Sequence, residues 1–195
     1  MNKLKFFLFL SCTCLLGGDL AEAQVVHSGE QNPPPFRLGV GPSAIAPDFE
    51  SGTMIGVTLW ADYTPNVFNR HVPGLYVSGQ LRDLNYHRSD SQTDLRENSY
   101  QAGLAYRWRH FENWQPYVRG AAGYGSIRFG PISSYSSDSR TIWSVTGGSD
   151  FRLSDNLWIR AEYERQTWPG LFNRDLHPRG ASLGLVYDFH WRFAQ

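Results

Sequence analysis

The feature that most constrains the fold is a long alternation of apolar and polar residues near the C-terminus. Over Ala181–Phe193 every odd position is apolar or aromatic, whereas Ser182, Asp188 and Arg192 occupy even positions. Successive side chains of a β-strand point to opposite faces, so the pattern predicts one apolar and one polar face. Thirteen residues are many for a strand of a soluble domain, but they suit a tilted strand that crosses a bilayer between lipid and a polar lumen.

The first 23 residues have the features of a secretory signal peptide. Lys3 and Lys5 precede an apolar run, and Ala21-Glu22-Ala23 has the small residues of a cleavage site, which predicts a mature chain beginning at Gln24. We therefore expect export to the periplasm.

The mature chain is predicted to begin with a flexible leader over residues 24–35, which is polar and ends in three prolines. Cys12 and Cys14 both lie in the signal peptide, so the mature protein is expected to have no disulfide and no thiol nucleophile.

Eight alternating segments follow the leader. No mature segment has the roughly 18 consecutive apolar residues of a membrane-spanning helix, so a membrane location requires a closed barrel that leaves no unpaired strand edge in lipid. The sequence predicts an all-β fold: an eight-stranded antiparallel transmembrane β-barrel, an up-and-down meander over residues 36–193. The predicted strands are Phe36–Ala44, Thr53–Tyr63, Gly74–Leu84, Ser99–Arg109, Pro116–Arg128, Thr141–Leu153, Leu157–Glu164 and Ala181–Phe193.

The predicted connections alternate in length from the third strand onward. Phe111–Gln115 and Ser154–Asn156 are short, as periplasmic turns are, whereas 85–98, 129–140 and 168–180 are long and polar, as external loops are. Thr64–Pro73 is long where a periplasmic turn is expected, which indicates either a small structured insertion or a misplaced strand end.

Composition narrows the function classes. The net charge is zero, which argues against nucleic acid as a partner. Aromatic residues make up 15% of the chain, and the aromatic girdles at the two faces of a membrane are one use for them. A soluble secreted β-sandwich or lipocalin-like binding protein shares the strand pattern and stays an alternative.

Two stretches resemble a known family. Arg160-Ala161-Glu162-Tyr163-Glu164 followed by 181–189 resembles the closing hairpin of the OmpA-like, opacity-type small porin family, and 115–125 resembles its Pro-Tyr strand with alternating glycines. The resemblance implies an integral barrel in the cell outer membrane of a diderm bacterium, surrounded by outer membrane lipid and lipopolysaccharide. It also implies insertion by the barrel-assembly machinery, which recognises a terminal aromatic residue; here Ala194 and Gln195 follow Phe193.

Charged residues on the predicted inner face are the candidate site. An eight-stranded barrel has an interior that side chains just fill, and buried charges must be paired. We predict that Glu162 and Glu164 pair with arginines of the lumen, including Arg160, in a charge network that closes the bore, with a gated ion path as the alternative. Its proposed members are Arg82, Arg107, Arg119, Arg160, Glu162, Glu164 and Arg192, and Arg109, Asp62, Asp150 and Asp188 fall on the same face.

A short motif raises an enzymatic alternative. His87-Arg88-Ser89-Asp90 resembles the His-x-Ser-Asn motif of the PagL lipid A deacylases, which implies His87 as base and Ser89 as nucleophile of a membrane esterase. Asp90 replaces the asparagine, and the motif lies mid-chain in a predicted external loop. The interpretation we favour is a solvated loop and no enzyme.

The remaining polar residues predict no cofactor. His71, His110, His177 and His190 have no metal-ligand spacing. Basic loop residues are candidates to contact surface sugars or lipopolysaccharide phosphates: Arg88, Arg96, Arg174 and Arg179. The predicted function is a structural or surface-interaction role, with at most minor porin-like passage of small solutes.

Overall fold

The computed structural model describes residues 35–48, 52–86, 95–129, 137–171 and 174–189. The strands are β1 (Phe36–Ala46), β2 (Met54–Tyr63), β3 (Leu75–Tyr86), β4 (Leu95–Arg107), β5 (Trp114–Phe129), β6 (Ser137–Arg152), β7 (Leu157–Leu171), β8 (Arg174–Leu176) and β9 (Arg179–Phe189). One helix, α1 (Asn66–His71), lies between β2 and β3.

The strands close into a barrel. Each strand from β1 to β7 pairs antiparallel with the next, and β9 pairs with both β7 and β1. The three-residue β8 pairs with the end of β7, so β8 and β9 together form the eighth wall position, interrupted at His177-Pro178. The predicted eight-stranded antiparallel meander is therefore confirmed.

The strand register sets the width of the barrel. A path through directly paired residues returns to β1 ten residues above its start: Phe36, Tyr63, Val77, Leu104, Gly120, Val145, Arg165, Arg179 and Ala46. A shear of ten over eight strands gives a tilt of about 41° and a radius of about 8 Å, with the usual strand rise and spacing. Such an interior holds side chains and little else.

The outer surface is apolar. Leu185 is 48% exposed, whereas its neighbour Val186 is 1% exposed and faces inward. Outward aromatic residues form an upper belt of Tyr100, Tyr124 and Trp143 and a lower belt of Tyr63, Trp108, Trp114, Phe151 and Tyr187. Trp143 and Phe151 are eight residues apart on β6, which places the belts about 20 Å apart along the barrel axis. This arrangement matches an apolar band between two aromatic girdles.

Several strand ends differ from the prediction. At the upper end, where β3 leads to β4, the strands are longer than expected, so the predicted loops 85–98, 129–140 and 168–180 are too long. At the lower end, β4 stops at Arg107 rather than Arg109, and β5 already begins at Trp114.

The strands at the upper end are longer than predicted because their apolar and polar residues exchange faces there. Above the upper belt the apolar residues point inward and the polar ones outward, as Leu95 and Arg96 do on β4. Within the membrane band the apolar residues face outward and the polar ones inward. The segments above the band do not continue that pattern, so the sequence predicted them as polar loops. The strands therefore continue beyond the membrane with the polarity of a soluble barrel.

The connection Thr64–Pro73 contains α1, so the structured insertion is the correct alternative. Arg109 binds the helix, since its Nη1 donates to Asn69 Oδ1 at 3.1 Å. Gly74, with a φ of 99°, then turns the chain into β3. That left-handed conformation favours glycine.

Some predictions lie outside the described residues. These are the signal peptide (1–23), the leader (24–35) except Pro35, the loop residues His87, Arg88 and Ser89, and the inward placement of Arg192. Within the described part of the chain, no helix combines the length and apolar character needed to cross a bilayer.

Candidate functional site

The inward-facing side chains form three successive layers along the bore. The lower charge cluster consists of Arg37, Asp62, Arg107, Asp150, Arg160 and Asp188. The middle charge cluster consists of Arg82, Arg119, Glu162 and Glu164. The upper apolar cluster consists of Ile45, Met54, Leu84, Leu95, Ile127, Ile142, Trp168 and Leu176.

Arg160 is the centre of the lower charge cluster. It lies on β7, its side chain is fully buried, and its Nε donates to Asp150 Oδ1 at 2.8 Å. Its Nη2 donates to Asp62 Oδ2 at 2.7 Å, across the bore on β2. One guanidinium thus joins carboxylates from two strands that are not neighbours in the wall.

The other two arginines complete the lower charge cluster. Arg37 donates from Nη1 to Asp150 Oδ2 at 2.9 Å and from Nε to Asp188. Arg107 donates from Nη2 to Asp62 Oδ2 at 3.1 Å and lies 3.2 Å from Asp150 Oδ2. The cluster holds three guanidinium groups and three carboxylates, so its net charge is zero.

Aromatic rings cover the faces of these guanidinium groups. Arg107 lies 4.3 Å from the centre of the Tyr76 ring, and Arg160 lies 5.0 Å from that of Tyr117. Gly148 gives Tyr117 its space, because a Cβ at this position would lie 2.6 Å from the ring. Cation–π contacts of this kind stabilise a desolvated arginine.

Glu164 is the centre of the middle charge cluster. Arg82 donates to it through both terminal nitrogens, at 2.9 and 3.3 Å, and Arg119 Nη2 lies 3.4 Å away. The amides of Gln101 and Gln166 donate to Glu164 Oε1 at 3.1 and 2.7 Å. Both carboxylate oxygens of Glu164 are therefore fully used.

Glu162 pairs with Arg119, one of the expected arginines, but its two hydrogen bonds come from aromatic residues. It accepts hydrogen bonds from Trp60 Nε1 at 2.9 Å and from the Tyr117 hydroxyl at 2.6 Å, while Arg119 Nη2 lies 3.6 Å away. The expected contact with Arg160 is not formed, because side chains two apart on one strand are about 7 Å apart and Arg160 reaches toward the aspartates below. The middle cluster is again neutral, with two charges of each sign.

The upper apolar cluster lies in the bore at the end where β3 leads to β4. Trp168 is fully buried and lies against Gly125, where a Cβ would be 2.3 Å from the ring. Glu97 lies beside this cluster, since its cross-strand partners are Leu84 and Ile127. It is 1% exposed, and its Oε1 has no hydrogen-bond partner among the described residues. Glu97 is beyond the upper belt, since its neighbours Arg96 and Asn98 face outward above Tyr100. Burial raises the pKa of the Glu97 carboxyl to about 7.

The structure places most of the predicted lumen residues inside the bore. Six of the seven are buried there: Arg82, Arg107, Arg119, Arg160, Glu162 and Glu164. Arg192 lies outside the described residues. Arg109 was expected inside but is half-buried near α1, because β4 ends before it.

Sequence reasoning missed several lumen residues. Arg37 was missed because only the apolar face of the first strand was considered, although its odd position on β1 places it inside. Glu97 and Trp168 were missed because they fell in predicted loops. Among the described residues no group of His, Cys, Asp or Glu side chains is arranged to hold a metal ion.

Comparisons with known proteins agree with this architecture. The sequence profile of a family described as "Outer membrane protein beta-barrel domain" matches residues 10–189. A comparison with curated protein sequences finds no significant match.

Two solved structures are similar in fold. Neisserial surface protein A (NspA) is 15% identical with a TM-score of 0.63, over 79% of this chain and 96% of that chain. Ail, the attachment invasion locus protein of Yersinia pestis, is 22% identical with a TM-score of 0.54, over 79% of this chain and 96% of that one. At these identities the likeness concerns the fold alone.

Proposed function

The chain belongs to the outer membrane protein β-barrel domain family, and from this premise we propose that it is a closed, structural barrel of the outer membrane. Its location is the outer membrane of a Gram-negative bacterium. The proposed role is to strengthen that membrane and to present the external connections to the surroundings, with no continuous passage of solutes.

The observation that carries this proposal is the filling of the lumen. Two charge-neutral clusters lie one above the other, and the upper apolar cluster covers them. An ion crossing the bore would have to separate paired charges and also enter an apolar layer, and each step is costly.

Conductance tests the closed barrel. The purified protein in a planar bilayer is expected to show no large, stable, continuously open channels, because the paired side chains fill the bore. A different mobility of boiled and unboiled samples on a denaturing gel, together with flotation with liposomes, serves as the control for folding and insertion. Long-lived open channels from protein that passes both controls would contradict the proposal.

The molecular partners that we propose are inferred from the apolar outer surface and from the net charge. The apolar band between the two aromatic belts contacts outer membrane lipid, including lipopolysaccharide at its outer edge. We expect the barrel-assembly machinery to insert the chain, and a surface ligand to be met by the external connections. Nucleic acid is not a proposed partner, because the net charge is zero.

We also propose that the protein is not an enzyme. Alanine at His87 or Ser89 is expected to leave the lipid A of the cell unchanged by mass spectrometry, since the motif departs from the deacylase pattern in sequence and position. The wild-type strain and a deletion strain are the controls. If a deacylated lipid A species present in wild-type cells disappears in both variants, the esterase alternative is correct.

A further inference from the structure

An unusual pair of arginines lies on the lipid-facing surface. Arg165 on β7 and Arg179 on β9 are direct cross-strand partners, and both side chains are exposed on the outer face. Like charges directly opposite each other on one face destabilise a sheet. An anion from outside the wall would relieve this repulsion.

No described residue supplies that anion. Neither arginine side chain forms an ion pair or a hydrogen bond within the described part of the chain. Two described carboxylates at this end of the barrel have other partners: Asp48 accepts from the backbone N–H of His177 at 3.1 Å, and Asp175 accepts from that of Gly170 at 2.9 Å.

The pair lies at the depth of lipid headgroups. Arg165 is paired with Val145, and Trp143 of the upper belt is its diagonal neighbour on β6. A guanidinium at an aromatic belt extends toward the headgroups while its stem stays against lipid. The anions at that depth of a membrane are the phosphates of lipids.

A groove leads from Arg165 toward the membrane centre. It has a volume of about 550 Å³, its floor is formed by Ala102, Gly120 and Ala122, and Leu104, Trp143 and Val145 form its walls. A Cβ at Gly120 would meet nothing within 4 Å, so the floor is open. Arg165 and Thr167 line the same groove.

We propose that Arg165, Arg179 and this groove form a binding site for one phosphorylated glycolipid of the outer leaflet. The phosphate lies between the two guanidinium groups, which suit bidentate contacts with phosphate oxygens. One acyl chain lies along the groove over Gly120. The site deepens the lipopolysaccharide contact proposed above, on which it rests, by assigning that contact to particular residues.

Lipid retention tests the site. The full-length barrel is folded in phosphatidylcholine nanodiscs that contain lipid A, either with its phosphates or enzymatically dephosphorylated, and lipids kept after transfer to detergent are counted by native mass spectrometry. Wild-type protein is expected to retain one phosphorylated lipid A. The double variant R165Q/R179Q is expected to retain about tenfold less, since both charge-assisted contacts are lost.

Two further variants test the contact with the acyl chain separately from the contact with the phosphate. G120L places a side chain on the groove floor, where a Cβ would meet nothing within 4 Å, and is expected to lower retention with both arginines present. The matched control is R128Q/R140Q, which removes two other outward-facing arginines above the upper belt, one on β5 and one on β6, of which Arg140 is already bound to Asp138. This control is expected to retain lipid A as the wild type does.

Three results would overturn the site. They are equal retention by wild type and R165Q/R179Q, equal retention of dephosphorylated lipid A, and displacement of the lipid by inorganic phosphate alone. Conductance of the same samples distinguishes the two proposals. An open channel that still retains lipid A rejects only the closed bore, and a closed barrel without lipid preference rejects only the site.

Discussion

Replacing Arg160 by methionine is expected to destabilise the folded barrel by about 3–5 kcal/mol. The substitution leaves Arg37 and Arg107 with three buried carboxylates, so one negative charge inside the lumen has no counter-charge. The measurement is urea unfolding of the protein in lipid vesicles, followed by tryptophan fluorescence.

The matched control for this variant is Arg152→Met. Arg152 also pairs with an aspartate, Asp155, but at an exposed turn where the Asp155 side chain is 93% exposed. An exposed pair contributes about 0–1 kcal/mol, so the control should remain close to the wild type. Equal unfolding midpoints for the two variants would show that the lower charge cluster does not stabilise the barrel.

A second substitution tests the role of charge balance. The double variant Arg160→Met/Asp62→Asn restores two charges of each sign in the lower charge cluster, with Arg107 still 3.2 Å from Asp150. It should be more stable than Arg160→Met alone although it removes a further ion pair. A double variant less stable than the single one would indicate that individual contacts matter more than neutrality.

The sequence was sufficient for the parts of the fold that depend on alternation. Leu185 and Val186 were assigned to opposite faces because the period of a strand is two, and their exposed fractions of 48% and 1% agree with that. The inward placement of Arg82, Arg119 and Glu164 follows from the same rule.

The sequence did not predict which side chains of the lumen contact each other. Which carboxylate Arg160 contacts depends on shear and tilt, since these bring β2 and β7 to the same level across the bore. The sequence shows which face of its strand each residue lies on, but it does not show the level of that residue along the barrel axis relative to distant strands. Glu162 was therefore assigned to arginines, although its closest partners are Trp60 and Tyr117.

The upper apolar cluster was missed for a different reason. Apolar residues were assumed to face lipid throughout, and above the membrane that assumption fails. Ile127 and Trp168 point inward there, as they would in a soluble barrel, while Arg128 faces outward. The useful signal in the sequence was the point at which the polar residues change face, just beyond the aromatic belt.

The second large expected effect is a pH dependence: because of Glu97, the free energy of unfolding should fall as the pH rises. The folded protein holds the proton of Glu97 up to a pKa of about 7, because the side chain is buried beside the apolar cluster with Glu164 nearby, while Arg82 partly opposes this. The unfolded chain releases the same proton near 4.5. Between these values the folded state binds more protons, so the unfolding free energy decreases with pH, by about 3 kcal/mol in total, and is constant above 7.

The measurement is urea unfolding in vesicles at a series of pH values from 4.5 to 8. In Glu97→Gln the amide replaces the protonated carboxyl with no charge to gain, so the contribution of this residue to the slope disappears. Asp83→Asn is the matched control, because Asp83 is an outward-facing carboxylate at the same end of the barrel, paired with Arg96 in solvent. It should keep the wild-type slope. A Glu97→Gln protein that loses stability with pH as steeply as the wild type would show that Glu97 is already ionised beside the upper apolar cluster.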